Sequence, residues 1–188
     1  MTLDEMVTRQ SVSREGAELL RGIARGGHSY LVHALPRNAG KSTLTHAVLD
    51  EAPPSMPRQG FLGTAEELAR LSAETRRGYL VVAEIGHRGP PGYLAGPEVV
   101  RTFQLVAQGW RLASSLHADS VQQVFDVLQD NGVDPAAAAA VRYLLKVRAL
   151  GDPEAPGTRR VVEAIHEVTG VDGGVPVSVC RYQWAGVA

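Results

Sequence analysis

Residues 29–51 read SYLVHALPRNAGKSTLTHAVLDE, and this stretch decides the fold. Residues 29–35 form a short, mostly apolar run that is typical of a buried strand. Residues 36–40 include a proline, an asparagine and a glycine, which favour a turn. From Lys41 to Glu51 the apolar side chains fall on one helical face, which predicts a helix. Lys41 therefore stands between the end of a strand and the start of a helix.

This junction matches the phosphate-binding P-loop pattern at every position but one. The pattern is glycine, four residues, then Gly-Lys-Ser or Gly-Lys-Thr, and here Leu35 replaces the first glycine. Backbone N–H groups of residues 38–42 would surround a phosphate at the positive end of the helix. Lys41 would bridge the β- and γ-phosphates and Ser42 would bind Mg²⁺. The predicted nucleotide-binding residues are Arg37, Asn38, Ala39, Gly40, Lys41, Ser42 and Thr43.

The arginine bias of the chain strengthens the case for Lys41. The sequence contains 17 arginines and two lysines, Lys41 and Lys146. Because arginine fills nearly every ordinary cationic role, a lysine retained in this loop indicates a need for a compact, flexible ammonium group. The alternative is a helix start with an incidental Gly-Lys-Ser, since short motifs produce false matches.

The remainder of the chain alternates helical and strand patterns before it changes character near residue 145. Further helices are predicted at 13–25, 64–77, 98–108, from 120 and from 134 to about 145, two of them opened by the capping boxes Thr64/Glu67 and Ser120/Gln123. Strands are predicted at 79–85, 111–116, 145–150, 159–168 and 175–184. Arg159 and Arg160 are interpreted as the solvated start of a strand.

This order predicts an α/β fold with a mainly parallel sheet and a C-terminal antiparallel β extension. Taken together with the P-loop pattern, it leads us to expect a RecA-like P-loop NTPase core. We expect residues 1–12 to be a loose lead-in and residues 13–150 to form the nucleotide-binding core. Residues 151–188 are expected to form a β-hairpin extension of the same domain.

Composition excludes several classes of partner. The net charge of −1 provides no general attraction for nucleic acid or an anionic membrane. No apolar run approaches the roughly 20 residues that span a bilayer, so membrane insertion is not expected. The start of the chain does not resemble a signal peptide, and the single cysteine, Cys180, fits a reducing compartment. A cytoplasmic location is therefore predicted.

Four blocks together resemble the ATPases of type II and type IV secretion and pilus assembly, most closely the tight-adherence pilus branch. Residues 12–25 are similar to the helix that precedes the P-loop in that family, and Val82-Ala-Glu-Ile85 resembles its Walker B segment. Residues 109–120, GWRLASSLHADS, resemble its His box, and residues 157–170, GTRRVVEAIHEVTG, its closing hairpin. The blocks run in the family's order from residue 12 to about residue 186.

The resemblance implies roles for two further residues. Glu84 would polarise the attacking water or support the water shell of Mg²⁺, and His117 would contact the γ-phosphate. Both follow strands whose carboxyl ends face the ligand crevice of α/β folds. From the residues alone, the alternatives are a solvated strand end for Glu84, favoured if the P-loop is set aside, and a helix cap or a core hydrogen-bonding group for His117.

Several departures from the family pattern affect the prediction of hydrolysis. Beside Leu35, Ala83 and the Gly86-His87 pair replace the glycine and arginine around the Walker B glutamate, and Trp110 replaces the first histidine of the His box. Most of the family's acidic Asp box is missing unless Glu66 and Glu67 are its remnant. The family's N-terminal domain is also missing, which implies a homo-oligomer or a partner protein that supplies it.

These observations predict Mg²⁺-dependent ATP binding with slow hydrolysis, because a missing arginine can cost a phosphoryl-transfer site about 10³–10⁵ in rate. The first alternative is a nucleotide-binding scaffold or regulator that has lost catalysis. The second is a small P-loop phosphotransferase, which would need a mobile lid with arginines, whereas the 86–97 loop contains only Arg88. A pure interaction module would require Lys41 to be incidental.

Overall fold

A nine-stranded sheet organises the protein, whose computed structural model describes residues 1–186; Val187 and Ala188, at the end of the predicted extension, lie outside the described residues. The strands are β1 (Tyr30–His33), β2 (Arg58–Gly60), β3 (Tyr79–Val81), β4 (Glu84–Ile85), β5 (Tyr93–Leu94), β6 (Arg111–Leu116), β7 (Tyr143–Leu150), β8 (Arg159–Asp172) and β9 (Val175–Gln183). Their order is β2-β3-β6-β1-β7-β8-β9, with β4 pairing β5 and β6.

The sheet changes from parallel to antiparallel at β7. Strands β2, β3, β6, β1 and β7 pair in parallel, whereas β7, β8 and β9 pair antiparallel. The mixed α/β fold with a mostly parallel central sheet and antiparallel C-terminal strands confirms the coarse fold class predicted from the sequence.

Seven helices connect these strands within the described residues. They are α1 (Leu3–Thr8), α2 (Arg14–Arg25), α3 (Lys41–Leu49), α4 (Ala65–Ser72), α5 (Pro97–Ala107), α6 (Val121–Asp130) and α7 (Pro135–Ala138). The predicted side-chain caps are present, since Thr64 accepts a hydrogen bond from Glu67 N and Ser120 accepts one from Gln123 N.

Strand β1 is the centre of the core because both of its faces are covered. All four of its residues are buried between β6 and β7. Tyr30 and Val32 pack into a hydrophobic cluster with α2 and α3, and Leu31 packs into a second cluster with α5, α6 and α7. A parallel strand buried on both faces accounts for the continuous apolar run in the sequence.

Two predictions for the N-terminal half are wrong. Residues Leu3–Thr8 form a helix rather than a loose lead-in, because Thr2 caps it reciprocally with Glu5 and because Leu3 and Met6 are buried. The predicted strand 79–85 is divided into β3 and β4. Its middle residue Ala83 instead donates its N–H to the carbonyl of Gly92.

Two predicted helices are shorter than expected. Helix α4 ends at Ser72 rather than Arg77, because residues 74–78 contain no apolar side chain to bury before β3. Helix α7 ends at Ala138 rather than near Leu145, because pairing of Tyr143 and Leu144 with β1 extends the following strand. Tertiary pairing here overrides the helix propensity of the alanine run.

No helix among residues 1–186 is both long and apolar enough to cross a membrane.

The end of β1 is tied to the turn after β6 by a buried histidine. His33 is 1% exposed, and its Nδ1–H donates to the carbonyl of Ala118 at 3.1 Å. Burial lowers the pKa of His33 from 6.5 to about 4, and the hydrogen bond to Ala118 partly opposes this decrease. Between these two pH values the unfolded chain binds a proton that the folded chain does not, so stability falls as pH decreases.

We predict that His33→Asn reduces the acid sensitivity of the protein. At pH 4.5 the proton taken up by unfolded His33 should lower the free energy of unfolding by about 2.5 kcal/mol relative to pH 7. Asparagine can still donate to the Ala118 carbonyl but does not titrate. Urea unfolding at pH 7 and pH 4.5 should therefore show a smaller decrease in the free energy of unfolding for the variant than for wild type. Equal decreases would contradict the lowered pKa of His33.

Candidate functional site

Three neighbouring strands bring their carboxyl ends to one edge of the sheet. Strand β1 leads into residues 34–40 and α3, β3 ends at Val81 shortly before Glu84, and β6 ends at Leu116 directly before His117. Strand β6 lies between β1 and β3 and also pairs with β4 through Leu116 and Ile85. This order brings the acid and the histidine to the side of the loop that precedes α3.

The loop before α3 presents backbone groups rather than a side-chain cap. Asn38 has φ 56° and Gly40 has φ 99°, so both lie in the left-handed region. Gly40 is the N-cap of α3 and offers no side-chain acceptor to the first N–H groups of the helix. A helix N-terminus of this kind attracts an anion because its N–H groups lack intrahelical partners.

Lys41 is buried at the start of α3 and faces both candidate catalytic groups. Its side chain is 7% exposed, and its Nζ lies 3.2 Å from His117 Nε2 and 3.6 Å from Glu84 Oε2. Burial lowers the pKa of Lys41, the charge of Glu84 opposes that shift, and the positive charge of Arg37 adds to it. The ammonium group is thus held away from water beside one carboxylate.

The carboxylate of Glu84 is the hub of the cluster. It is 8% exposed, and its Oε1 lies 3.3 Å from His87 Nε2 and 3.4 Å from His117 Nε2. A carboxylate so buried is stabilised by nearby donors rather than by solvent. Glu84 is therefore not the solvated strand end that the sequence alone allowed.

The ring of His117 is oriented by the backbone of the P-loop. Its Nδ1 lies 2.6 Å from the carbonyl oxygen of Leu35, which can only accept a hydrogen bond. The Nδ1 therefore carries a proton, and Nε2 lies 3.2 Å from Lys41 Nζ and 3.4 Å from Glu84 Oε1. Leu35, which replaces the usual glycine, takes part through its carbonyl while its side chain is exposed.

A cavity of about 1270 Å³ opens in front of this cluster. Arg37, Asn38, Gly40, Ser42 and Thr43 line it, together with Lys41, Glu84 and His117. Ala39 also reaches the lining, but it is buried in the hydrophobic core. The structure therefore brings all of the predicted site residues to one cavity.

The cavity is strongly cationic although the chain as a whole has a net charge of −1. Two carboxylates line it, those of Glu84 and Glu154. Six basic residues line it, namely Arg9, Arg37, Lys41, Arg88, Arg159 and Arg160. An excess of positive charge in one concave surface favours a ligand with several negative charges.

Three residues of the 86–94 loop lie at the site and were not predicted as site residues from the sequence. The 86–94 loop folds back, with Gly86 N–H donating to the carbonyl of Leu94, and this places His87 against Glu84. Tyr93 then packs edge-on to the ring of His87, at 5.8 Å between centroids. Arg88 follows in the same loop. The sequence pattern marks this segment as a loop and contains no signal for its direction.

Arg159 and Arg160 are not a solvated strand start, and that interpretation is wrong. Both are half-buried. Arg159 donates to the carbonyl of Gln10 at 2.7 Å and lies over the ring of Trp184. Arg160 donates from Nε to the carbonyl of Asn38 at 2.6 Å. Strand β8 therefore joins the C-terminal hairpin to the P-loop.

Two departures from the family pattern lie outside the cavity. Trp110 is buried, and its Nε1–H donates to the carbonyl of Leu71, so its role is in packing. Glu67 caps the segment before α4 by accepting from Leu62 N and Thr64 N, and Glu66 is exposed. Neither acid lines the cavity, so the structure does not place a remnant Asp box at the site.

The donor set at the site suits Mg²⁺ better than a softer metal. A serine hydroxyl and a carboxylate, on Ser42 and Glu84, line the cavity and are hard oxygen donors. Within the part of the chain that the structure describes, no group of three or more His, Cys, Asp or Glu side chains is placed to hold a metal ion by itself. A metal here would share its ligands with phosphate and water.

The fold and the site define an α/β domain with a mostly parallel sheet and a buried Lys–Glu–His cluster at the carboxyl edge of that sheet. Its fold is similar to that of the VirB11 ATPase from the Brucella suis type IV secretion system, solved in complex with sulphate. The TM-score is 0.61 at 16% sequence identity, and the match covers 89% of this chain and 56% of that chain. This likeness shows the fold alone.

No family model matches the sequence, and no curated protein matches it.

We predict that Gly40→Ala destabilises the protein by about 1–2 kcal/mol, because a left-handed conformation is unfavourable for alanine. An added Cβ would also lie 3.2 Å from Arg160 Cδ. Gly22→Ala is the matched control, since no atom lies within 4 Å of its added Cβ in α2. That variant should gain up to about 1 kcal/mol. Urea unfolding measures the free energy of unfolding of both variants, and equal changes for the two would contradict the left-handed conformation of Gly40.

Proposed function

We propose that the protein binds ATP with Mg²⁺ at this cavity and hydrolyses it slowly. The observation that carries the proposal is the buried cluster of Lys41, Glu84 and His117 beside a P-loop-like turn. A lysine that bridges phosphates, an acid that orients water and a group that contacts the terminal phosphate are the parts that phosphoryl transfer requires.

The strand order supports a RecA-like P-loop core. The strand before the P-loop, β1, and the strand before the acid, β3, are separated by β6, which ends directly before His117. Lys41 and Glu84 consequently face each other across the end of β6, with the histidine between them. A terminal phosphate next to Lys41 would then lie within reach of both Glu84 and His117.

The chain's own residues would divide the work as follows. Lys41 would exchange its contact with Glu84 for the β- and γ-phosphates, which releases the Glu84 carboxylate to accept a hydrogen bond from water. The Leu35 carbonyl holds the His117 Nδ1 proton, so Nε2 stays directed at the same point. Ser42 and, through water, Glu84 would hold Mg²⁺, which neutralises charge on the phosphate oxygens.

The resemblance supports a motor that works as an assembly. The chain spans 56% of the VirB11 ATPase chain. We propose that a homo-oligomer or a partner chain in the cytoplasm completes the site, since added positive charge at the phosphates accelerates hydrolysis strongly. The proposed role is that of a reduced secretion or pilus-assembly ATPase.

A second candidate is a nucleotide-binding scaffold or regulator without turnover. The observation that favours it is the position of Glu66 and Glu67, which do not reach the cavity. Binding depends on the cationic cavity, whereas turnover needs a water held in line by an acid. Loss of turnover therefore leaves nucleotide binding intact.

We predict that ATP with Mg²⁺ raises the melting temperature of the wild-type protein and not of Lys41→Ala. Ligand at 100 times its Kd stabilises the folded state by about 2.7 kcal/mol. The matched control is Lys146→Ala, because Lys146 is the other lysine and contacts Asp119 and Glu163 instead. It should retain the nucleotide-dependent shift. If millimolar ATP shifts none of the three proteins, nucleotide binding is refuted.

We also predict that Glu84→Gln binds ATP but releases phosphate about 10²–10⁴ times more slowly than wild type, the range expected for loss of a general base. Phosphate release on the same samples measures this. A wild-type protein that binds ATP and releases no more phosphate than Glu84→Gln would be a scaffold.

A further inference from the structure

The loop between β7 and β8, residues 151–158, folds onto the P-loop. Asn38 Nδ2 donates to Glu154 Oε1 at 2.8 Å, and Arg160, two residues beyond the loop, donates to the carbonyl of Asn38 at 2.6 Å. The C-terminal hairpin thus forms a wall of the nucleotide cavity. The family resemblance implied no ligand-binding residue in this wall.

Arg160 is held rigidly and still has donors to spare. Its Nε–H, one Nη1–H and one Nη2–H donate to the backbone carbonyls of Asn38, Thr158 and Pro153. An arginine has five N–H donors in a planar fork, so two remain. Because the side chain is already fixed, little conformational entropy is lost when these two donors bind an acceptor.

The charge of Arg160 is not neutralised by its neighbours. Among residues 1–186 no carboxylate lies within ion-pair distance of its guanidinium group, although the side chain is half-buried. Glu154, the acid of this wall, is engaged with the amide of Asn38. A half-buried cation bound only to carbonyl oxygens and facing a cavity is suited to an anionic ligand.

The contacts place Arg160 beside one part of the P-loop and away from the cluster. A Cβ added to Gly40 would lie 3.2 Å from Arg160 Cδ. No hydrogen bond or ion pair in the described chain joins Arg160 to Lys41, Glu84 or His117. The arginine whose charge acts on the pKa of Lys41 is Arg37 instead. Arg160 therefore flanks the P-loop backbone at Asn38 and Gly40 rather than the Lys41–Glu84–His117 cluster, to which the proposed function assigns the γ-phosphate.

We propose that Arg160 binds the α- and β-phosphates of the nucleotide, so that the C-terminal hairpin supplies part of the phosphate site. The proposal rests on the proposed function. A contact to phosphates that are present in both ADP and ATP strengthens the two complexes equally. It changes the affinity of the site without changing the rate of the chemical step.

The test compares Arg160→Gln and Arg160→Lys with Arg148→Gln, a matched control on β7 whose side chain pairs with Glu163 outside the cavity. Isothermal titration measures the Kd of MgADP and of Mg²⁺ with the analogue AMP-PNP. We expect Arg160→Gln to weaken both ligands by about tenfold or more, as for loss of a hydrogen bond between charged groups. The two factors should agree within about twofold, and Arg148→Gln should bind as wild type.

The lysine variant separates phosphate contact from a purely structural role. Lysine keeps a positive charge for phosphate but cannot make the three-carbonyl contact of the guanidinium fork. Arg160→Lys should therefore recover much of the affinity that Arg160→Gln loses. In phosphate-release assays KM should rise for Arg160→Gln while kcat stays within about twofold of wild type.

Four outcomes would overturn the proposal. Unchanged Kd values for Arg160→Gln would exclude a contact, and weaker binding of AMP-PNP alone would move the contact to the γ-phosphate. If Arg160→Lys bound the ligands no more tightly than Arg160→Gln, the role of Arg160 would be structural only. Wild-type protein that binds neither ligand would refute the proposed function itself, which the wild-type titration shows before any variant is compared.

Discussion

The buried ammonium group of Lys41 is the constraint on which the rest of the site depends. Taking such a charge out of water costs several kcal/mol unless a counter-charge and hydrogen-bond partners lie close to it. Here the carboxylate of Glu84 and the imidazole of His117 provide them, at 3.6 Å and 3.2 Å. These partners follow different strands, so the cluster requires β1, β3 and β6 to end together at one edge of the sheet.

The same constraint explains why the P-loop keeps its form without its first glycine. Glycine is required where a side chain would clash or where φ is positive, and Leu35 instead exposes its side chain to solvent. What the site uses at this position is the backbone carbonyl, which fixes the proton of His117 on Nδ1. Any residue has that carbonyl. Leucine at position 35 is therefore compatible with the cluster. Gly40 cannot be replaced in the same way, because its left-handed backbone conformation is unfavourable for residues with a side chain.

Short-range sequence patterns predicted those parts of the site whose structure depends on neighbouring residues in the chain. The strand, turn and helix of residues 29–51 follow from apolar spacing and turn residues, and Glu84 and His117 follow strand patterns that are buried on both faces. His87 was missed because the fold-back of residues 86–94 depends on backbone bonds to Ala83 and Gly86 that no periodicity records. Arg160 was misinterpreted because one of its partners, the carbonyl of Asn38, lies on the P-loop, 122 residues away in the chain. The alanine-rich segment was predicted too long because strand pairing with β1 decides where β7 begins.

Charge is distributed unevenly around the cavity, and this separates binding from chemistry. At the cluster, the positive charge of Lys41 is paired with Glu84 until a phosphate takes the place of that contact. The excess positive charge lies on arginines further along the lining. Affinity for a polyanion therefore depends on Lys41 together with these arginines, and it would survive loss of the Glu84 carboxylate, which removes turnover. For this reason nucleotide affinity alone does not distinguish a slow ATPase from a scaffold; turnover that depends on the Glu84 carboxylate does.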